Sequence, residues 1–465
     1  MARRLRLIAI VTTVGLAACT SYQPLPVEPV RNAEALDARS LDDPRLVEFI
    51  DRLAPPVAAE IRERRWSRTA LTLAALYYHP DLEIARAKQA EAEAGGMTAR
   101  EYPNPTVTVS PTKHTSPVDP PWTVGLATDL LLELPGKREA REDQADRLVE
   151  AARADLETAT WQVRGGVSSA FTEVWTARAR FDVLAHRHAL EAQAAALVSR
   201  RRDEGAASEG DAGRAQAALA DAAVAEEGAT EAKAEANAAL AKAVGVPIRA
   251  VEGVNLVFDT PGADAARDVK ALRQAALVGR SDIKAAFAEY QAADAALRLQ
   301  IARQYPDVRL GPSYTYQDAD NEYPISLTVE LPIFNQNQAQ IAEADARRRA
   351  AAGRLLALQA QALNEVDAAI GRDKAAQEAL DAADAARSDA QHRLAGVQHS
   401  FDAGQIGRPA LVEAQLLAAQ ADLAQVDAEG ERRREADALE AALQPPLAEG
   451  GLATALAAPS PGAGS

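Results

Sequence analysis

The chain has 465 residues, with 51 Lys and Arg against 67 Asp and Glu, a net charge of −16 and one cysteine. So acidic a chain is poorly suited to holding nucleic acid through phosphate contacts, and a single thiol excludes an internal disulfide framework. Apolar residues make up 48% but aromatics only 4%, and alanine supplies much of the apolar count, which favours thin helix seams over a wide globular core.

Residues 1–18 read as a signal peptide: Arg3, Arg4 and Arg6 precede a short apolar run, Leu7 to Leu16, and small residues stand before Cys19. That run is too short to span a bilayer as a mature helix. Without it the chain carries 48 basic against 67 acidic residues, a net charge of −19. No later segment offers 18 uninterrupted apolar residues, so any crossing of a membrane must be made by strands.

Residues 19–64, with Pro24, Pro26, Pro29, Pro44, Pro55 and Pro56, read as an extended linker. A first repeat, 65–245, opens with a helix from about Trp66 to Arg100, which ends before Pro103-Asn104-Pro105. Strand chemistry follows at about 104–112 and 121–134, where Val107 and Val109 alternate with threonines and Val124, Leu126 and Leu130 keep their own alternation. Lys113 to Pro120 is the loop between them. Pro135 marks the strand-to-helix transition, at a first helical position where a missing N–H has no partner to lose. Leu148, Ala152, Leu156, Val163, Val167, Val174 and Leu184 then recur at steps of three and four, one face of a helix roughly 100 Å long that ends at Gly205. Ser208 to Val244 returns over roughly 55 Å and is stopped by Gly245 and Pro247.

A connector, 246–264, leads at the waist into a second repeat, 265–443, and a tail biased toward disorder, 444–465. The second repeat has a helix from about Ala265 to Gln304, strands at about 307–317 and 322–331, a strand-to-helix Pro332, and a long helix to Phe401. A turn at Gly404 to Gly407 and a return helix to Leu443 complete it. Tyr102-Pro103 and Tyr305-Pro306 are 203 residues apart, Pro135 and Pro332 are 197, and Gly205 and Gly404 are 199, which points to duplication. Four strands near bilayer-spanning length cannot sit in lipid with bare edges, and they are fewer than the eight of the smallest closed barrel. Sister chains must complete the sheet, and geometry leaves open whether two or three do so.

The order of these elements, with the turn strings RRDEGAASEGDAGRAQA (Arg201 to Ala217) and SFDAGQIGRPALVEAQL (Ser400 to Leu416), resembles the TolC-type outer-membrane factors of tripartite efflux pumps from about Trp66 to Leu443. LPIFNQNQAQIAEA (Leu331 to Ala344) resembles the CzcC-like branch that serves heavy-metal RND pumps. The resemblance implies a mainly α fold with a small β part: internally duplicated long helical hairpins with two-strand inserts. As a homotrimer these would form an α-barrel plus a 12-stranded transmembrane β-barrel. It further implies a passive outer-membrane exit duct with a long periplasmic portion, its cargo heavy-metal cations. The partners implied are a periplasmic adaptor (membrane fusion protein), an inner-membrane RND pump and outer-membrane lipid.

Site residues follow from the same resemblance. Leu16-Ala17-Ala18-Cys19 resembles a bacterial lipobox, so Cys19 is expected to carry lipid, and Thr20 behind it favours sorting to the outer membrane. Gly205, Ala206, Ala207 and Ser208, with Gly404, Gln405, Ile406 and Gly407, match the family's adaptor-docking tip. Where family pores carry aspartate rings this chain has Asp211, Ala410 and Glu413, leaving Asp211 and Glu413 as pore-lining acids. Carboxylates crowded around a narrow axis would attract cations.

Other chemistry is thin. His186 and His188 point apart on a helix, and His392 and His399 could share a face, but neither pair has a third ligand in sequence, so no metal site is expected. Pro135-Gly136-Lys137 looks like the end of a phosphate loop without the glycine five residues earlier. No nucleophile and base are suggested together, so neither an enzyme nor a cofactor is expected, and energy must come from a partner. Competing functions are a duct for drugs or for type I protein secretion, and a lipid-anchored periplasmic coiled-coil scaffold, which would need no spanning strands.

Overall fold

A computed structural model describes residues 22, 24, 28–115, 121–258, 268–317 and 320–445. The expected signal peptide, Cys19, part of the Lys113 to Pro120 loop, part of the 246–264 connector and nearly all of the 444–465 tail lie outside the described residues. A first unit, Met1–Ser40, contains α1 (Pro29–Asp37), a helix with no buried side chain. Everything from Leu41 onward forms a second unit.

The expected extended linker at 19–64 is corrected: α1 is followed by α2 (Pro44–Leu53) and α3 (Pro55–Arg62). Pro29, Pro44 and Pro55 each open a helix. At that position the absent N–H would have had no intrahelical acceptor, and the ring's fixed φ suits the first turn. After β1 (Arg65–Trp66), the single helix expected to Arg100 is two, α4 (Arg68–Tyr78) and α5 (Pro80–Arg100). Pro80 starts the second, and His79 caps it, its Nδ1 accepting the Asp81 N–H at 3.3 Å.

Next come β2 (Thr106–Lys113), β3 (Trp122–Leu132), α6 (Lys137–Asp203) and α7 (Glu209–Val244). A 3₁₀ turn at Ile248–Ala250 and β4 (Asn255–Leu256) follow, with β4 pairing parallel to β1. The helix expected from about Ala265 is again two, α8 (Val269–Gly279) and α9 (Ser281–Ala302), parted at Arg280. Then β5 (Val308–Gln317), β6 (Asp320–Glu322), β7 (Ile325–Val329), α10 (Gln338–Asp402) and α11 (Arg408–Leu443) complete the chain. The order helix, strand, strand, long helix, return helix thus occurs twice.

With 67 residues in α6 and 65 in α10, each long helix runs roughly 100 Å. Among the described residues no helix is long and apolar enough to cross a membrane. Most of the large buried side chains gather at a waist where α2 and α3 pack on α4, and α4 packs on α6 and α7, among them Leu46, Ile50, Leu71, Leu76, Val167, Val174 and Leu240. Away from this waist the seams are alanine. Ala222, Ala229 and Ala236 are buried on α7 at seven-residue steps, as are Ala362, Ala369 and Ala376 on α10. A strict seven-residue repeat keeps the seam facing its partner as the helices wind. Small residues also let backbones close in: a Cβ on Gly430 of α11 would stand 2.8 Å from Thr176 Oγ1 on α6.

Polar ties cross the same waist. Arg68 lies 2.9 Å from Asp437 and 3.3 Å from Glu440, Thr172 donates to Asp437 at 2.7 Å, and Arg164 also binds Glu440. Together they fasten α4 and α6 to α11. Farther along α11, Arg432 is buried against Asp373 of α10 at 2.7 Å.

The sheet runs β2, β3, β5, with β7 and β6 along the far edge of β5, all antiparallel. The strand expected at 322–331 is split at Tyr323-Pro324, because proline has no N–H for the ladder. Its carbonyl still accepts the Ser313 N–H at 2.9 Å. Gly311 is needed where it lies, since a Cβ there would collide with Ser326 Oγ and approach Thr128 O to 3.2 Å.

Candidate functional site

Register decides which face of the sheet each side chain occupies, since one residue of slip reverses them all. The pairs Val109 with Leu126, Leu126 with Tyr314, Leu130 with Leu310, and Leu310 with Leu327 put one apolar face across β2, β3, β5 and β7. On that face Val107, Val109, Trp122, Val124, Leu126, Leu130, Leu132, Ile325, Leu327 and Val329 are exposed. The opposite face carries Thr108, Ser110, Thr123, Gly125, Ala127, Ser313 and Thr315. It also carries an ion pair, Arg309 to Asp129 at 3.2 Å. An antiparallel sheet in a water-soluble domain covers its apolar face and wets the other. Here the apolar face is bare: none of its residues is buried. Alternation along each strand could be read from the sequence; that the apolar face is left bare could not.

Below the strands the two transitions differ. Pro135 lies two residues before α6, not at its first position, and Gly136 takes the cap with φ 95° while Glu139 accepts its N–H at 2.7 Å. Glu133 grips Arg141 with both oxygens, at 2.7 and 3.0 Å. Lys137 is buried with its Nζ 2.7 Å from Asp307, whose same oxygen accepts the Leu134 N–H at 3.2 Å. Pro332 stands six residues before α10, and Asn337 caps that helix with φ 61° while its amide donates to Gln300 O at 2.6 Å. Leu331, Ile333 and Phe334 in this longer connection are exposed. Sequence reasoning weighed Lys137 only as part of an incomplete phosphate loop and gave Phe334 no role; the signal was the unequal number of residues after each Leu-Pro.

The tips, by contrast, are built alike. Gly205 has φ 74°, its N–H bonded to Arg202 O at 2.8 Å and the Ala206 N–H to Arg201 O at 2.6 Å. Gly404 has φ 73°, with Gly404 N–H to Phe401 O and Gln405 N–H to Ser400 O, both 2.9 Å. Both are Schellman closures, which need a residue tolerant of the left-handed region. Ala206, Ser208, Gln405 and Gly407 are exposed, and Ala207 and Ile406 are half-buried in matching places. Arg408, just past the second tip, donates to Gln193 Oε1 on α6 at 3.2 Å.

The next helices start differently. Ser208 and Asp211 form a reciprocal cap: Asp211 N–H to Ser208 Oγ at 3.1 Å, and Ser208 N–H to Asp211 Oδ2 at 3.1 Å. Asp211 also accepts from Ser208 Oγ and pairs with Arg214. The hydrogen bond from the Ser208 side chain, then that from its backbone N–H, holds the Asp211 carboxyl below its ordinary range. A capping duty therefore already accounts for Asp211. In the second tip Gly407 and Ala410 offer no such cap, and Pro409 stands in the first turn instead. Glu413 is exposed on α11. His188 meets Glu226 across α6 and α7. Among the described residues no group of three His, Cys, Asp or Glu is arranged to hold a metal ion.

Cobalt-zinc-cadmium resistance protein CzcC of Cupriavidus metallidurans is 29% identical over 265 residues, covering 55% of this chain and 61% of that protein. The match thus spans less than two thirds of that relative's length. The outer-membrane channel OprN shares the fold with a TM-score of 0.67 at 21% identity, over 91% of this chain and 98% of its own. The outer membrane protein VceC of Vibrio cholerae does so with a TM-score of 0.67 at 20% identity, over 81% and 95%. The profile of the outer membrane efflux protein family matches residues 72–246 and 272–443, one stretch for each occurrence of the helix and strand order. With far more than half of its length matched, the chain belongs to the outer membrane efflux protein family.

Proposed function

We propose that this chain is the exit duct of a tripartite efflux system, a homotrimer whose strands join into a 12-stranded barrel in the outer membrane and whose helices continue it as a periplasmic tube. The single observation that carries this reading is the uncovered apolar face of the sheet, opposed by a face bearing the Asp129–Arg309 pair. Lipid is a favourable neighbour for the first face and a water-filled lumen for the second. Among the described residues no strand pairs with the outer edges, β2 on one side and β6 and β7 on the other, and in hydrocarbon each bare backbone group costs several kcal/mol. Ring closure with sister chains removes those edges.

In this scheme the two halves are copies of one ancestral hairpin, and Cys19 is acylated and tethers the chain to the inner leaflet. The two glycine turns meet the hairpin of a periplasmic adaptor, and an inner-membrane RND pump supplies energy and selects cargo. Glu413 is the stronger of the two pore-lining acids, because Asp211 is engaged in its own cap. Heavy-metal cations are the cargo class, in keeping with the name of the CzcC relative. Two experiments test the reading. Purified protein in planar bilayers should give discrete conductance, and silence at all voltages would favour a scaffold. A deletion strain should lose tolerance to cobalt, zinc or cadmium; unchanged metal tolerance with raised drug sensitivity would move the assignment to drug efflux.

A further inference from the structure

The joint between the two halves of one chain is ionic. Lys137 follows β3, Asp307 precedes β5, and Asp307 holds both the Lys137 ammonium and the Leu134 N–H. The motif offsets, 197 residues for the strand-to-helix prolines and 203 for the Tyr-Pro pairs, map Lys137 onto Phe334, Leu134 onto Leu331 and Asp307 onto Asn104. Both members of the ion pair are therefore uncharged in the other half. Cation has become phenylalanine and anion has become asparagine.

Phe334 follows β7 and Asn104 precedes β2, the two outer strands, which lie three strand spacings or roughly 14 Å apart in one chain. Phe334 is 100% exposed and Asn104 is exposed too. Because neighbouring strands are antiparallel throughout, β7 is antiparallel to β2, and laying β7 of one copy on β2 of the next repeats the β3–β5 junction. That brings the segment after β7 beside the segment before β2.

We propose that Phe334 of one copy seats on Tyr102 and Asn104 of the next, with the Asn104 side-chain oxygen accepting the Leu331 N–H; this rests on the ring closure proposed above. Tyr102 is prepared for such a guest. Its ring is 75% exposed, and the Arg138 guanidinium stacks on it 3.9 Å from its centroid. A phenylalanine dipping into lipid would explain its own exposure but not the loss of charge at Asn104. Alternating joints, ionic within a chain and uncharged between chains, also enforce order. A half-chain slip would set Lys137 on Asn104 or Phe334 on Asp307, leaving a charge without its partner.

The test uses the full-length chain in detergent, with oligomer mass measured by light scattering and dissociation followed by heating in SDS. Phe334→Lys should lower the dissociation temperature, and Asn104→Asp combined with Phe334→Lys should recover at least half of that loss by recreating the ionic joint. Phe334→Cys with Asn104→Cys should give covalent species of multiple subunit mass with a short bismaleimide, unlike either single variant or the parent chain. An oligomer of normal mass with no recovery in the double variant and no cross-linked multimers would overturn the seat while leaving ring closure standing. A parent chain that is monomeric would overturn both.

Discussion

Replacing Arg432 by methionine keeps most of the side-chain length and removes the charge and the polar contacts it makes from α11 to α10. The Arg432 and Asp373 side chains are 3% and 8% exposed and meet at 2.7 Å, and Arg432 Nε also donates to Gln377 at 2.8 Å. Removing one member of such a pair leaves a buried charge uncompensated and costs about 3–5 kcal/mol, whereas replacing both by apolar residues is often neutral or stabilising. R432M and D373A should each cost about that much, and R432M/D373L should cost about nothing. The hairpin is long and its seam is alanine, so the loss should appear as local opening rather than global unfolding. At 1.4 kcal/mol per decade, amide hydrogen exchange near Asp373 and Arg432 should speed up roughly 100- to 3000-fold in the single variants. Single variants costing under about 1 kcal/mol, or a double variant as damaged as the two singles combined, would refute the claim that the charges are buried against each other.

Three further outcomes are expected. Gly430→Ala gains about 1 kcal/mol of helix propensity but drives a Cβ to 2.8 Å from Thr176 Oγ1. Overpacking of about 1–3 kcal/mol should win, with Thr176→Ala restoring stability in denaturant unfolding; a G430A chain more stable than its parent would refute the close approach. Ser208→Ala removes the cap of α7, a loss of about 1 kcal/mol, and should speed hydrogen exchange in its first turn while the Gly404 turn is unchanged. Burial raises the Asp437 carboxyl above its ordinary value, against the Thr172 hydrogen bond and the Arg68 charge. The folded state then holds this proton more tightly than the unfolded state, so Asp437's contribution to stability improves as pH falls from its folded pKa toward about 3.9. Asp437→Asn should flatten that part of the stability profile relative to the parent, and an unchanged profile would count against burial of the charge.

Much of the architecture was legible in local chemistry. Glycines that tolerate positive φ, at Gly205 and Gly404, announced the tips, because few other residues close a helix that way. The apolar steps of three and four along α6 and the strand alternation were visible for the same reason: helix and strand periods are properties of the backbone, and side chains must follow them. Proline was misleading. Pro44, Pro55 and Pro80 stop a chain in one context and start a helix in another, and here the residues beyond each of them find a surface to bury. For α2 and α3 that surface is the waist, where Leu46, Ile50 and Ile61 are covered.

Tertiary structure alone decided the rest. Alternation along β3 says that Leu126 and Ala127 face opposite ways, but only the pairing of β2, β3, β5 and β7 gathers the leucines and valines on one face and leaves it bare. Likewise, nothing in the string Pro135-Gly136-Lys137 told that its lysine would be buried on Asp307, 170 residues away. A residue's own period fixes its direction relative to its neighbours in sequence. What it then meets, water, lipid or another copy, is set by contacts distant in sequence, and these exist only once the sheet has formed.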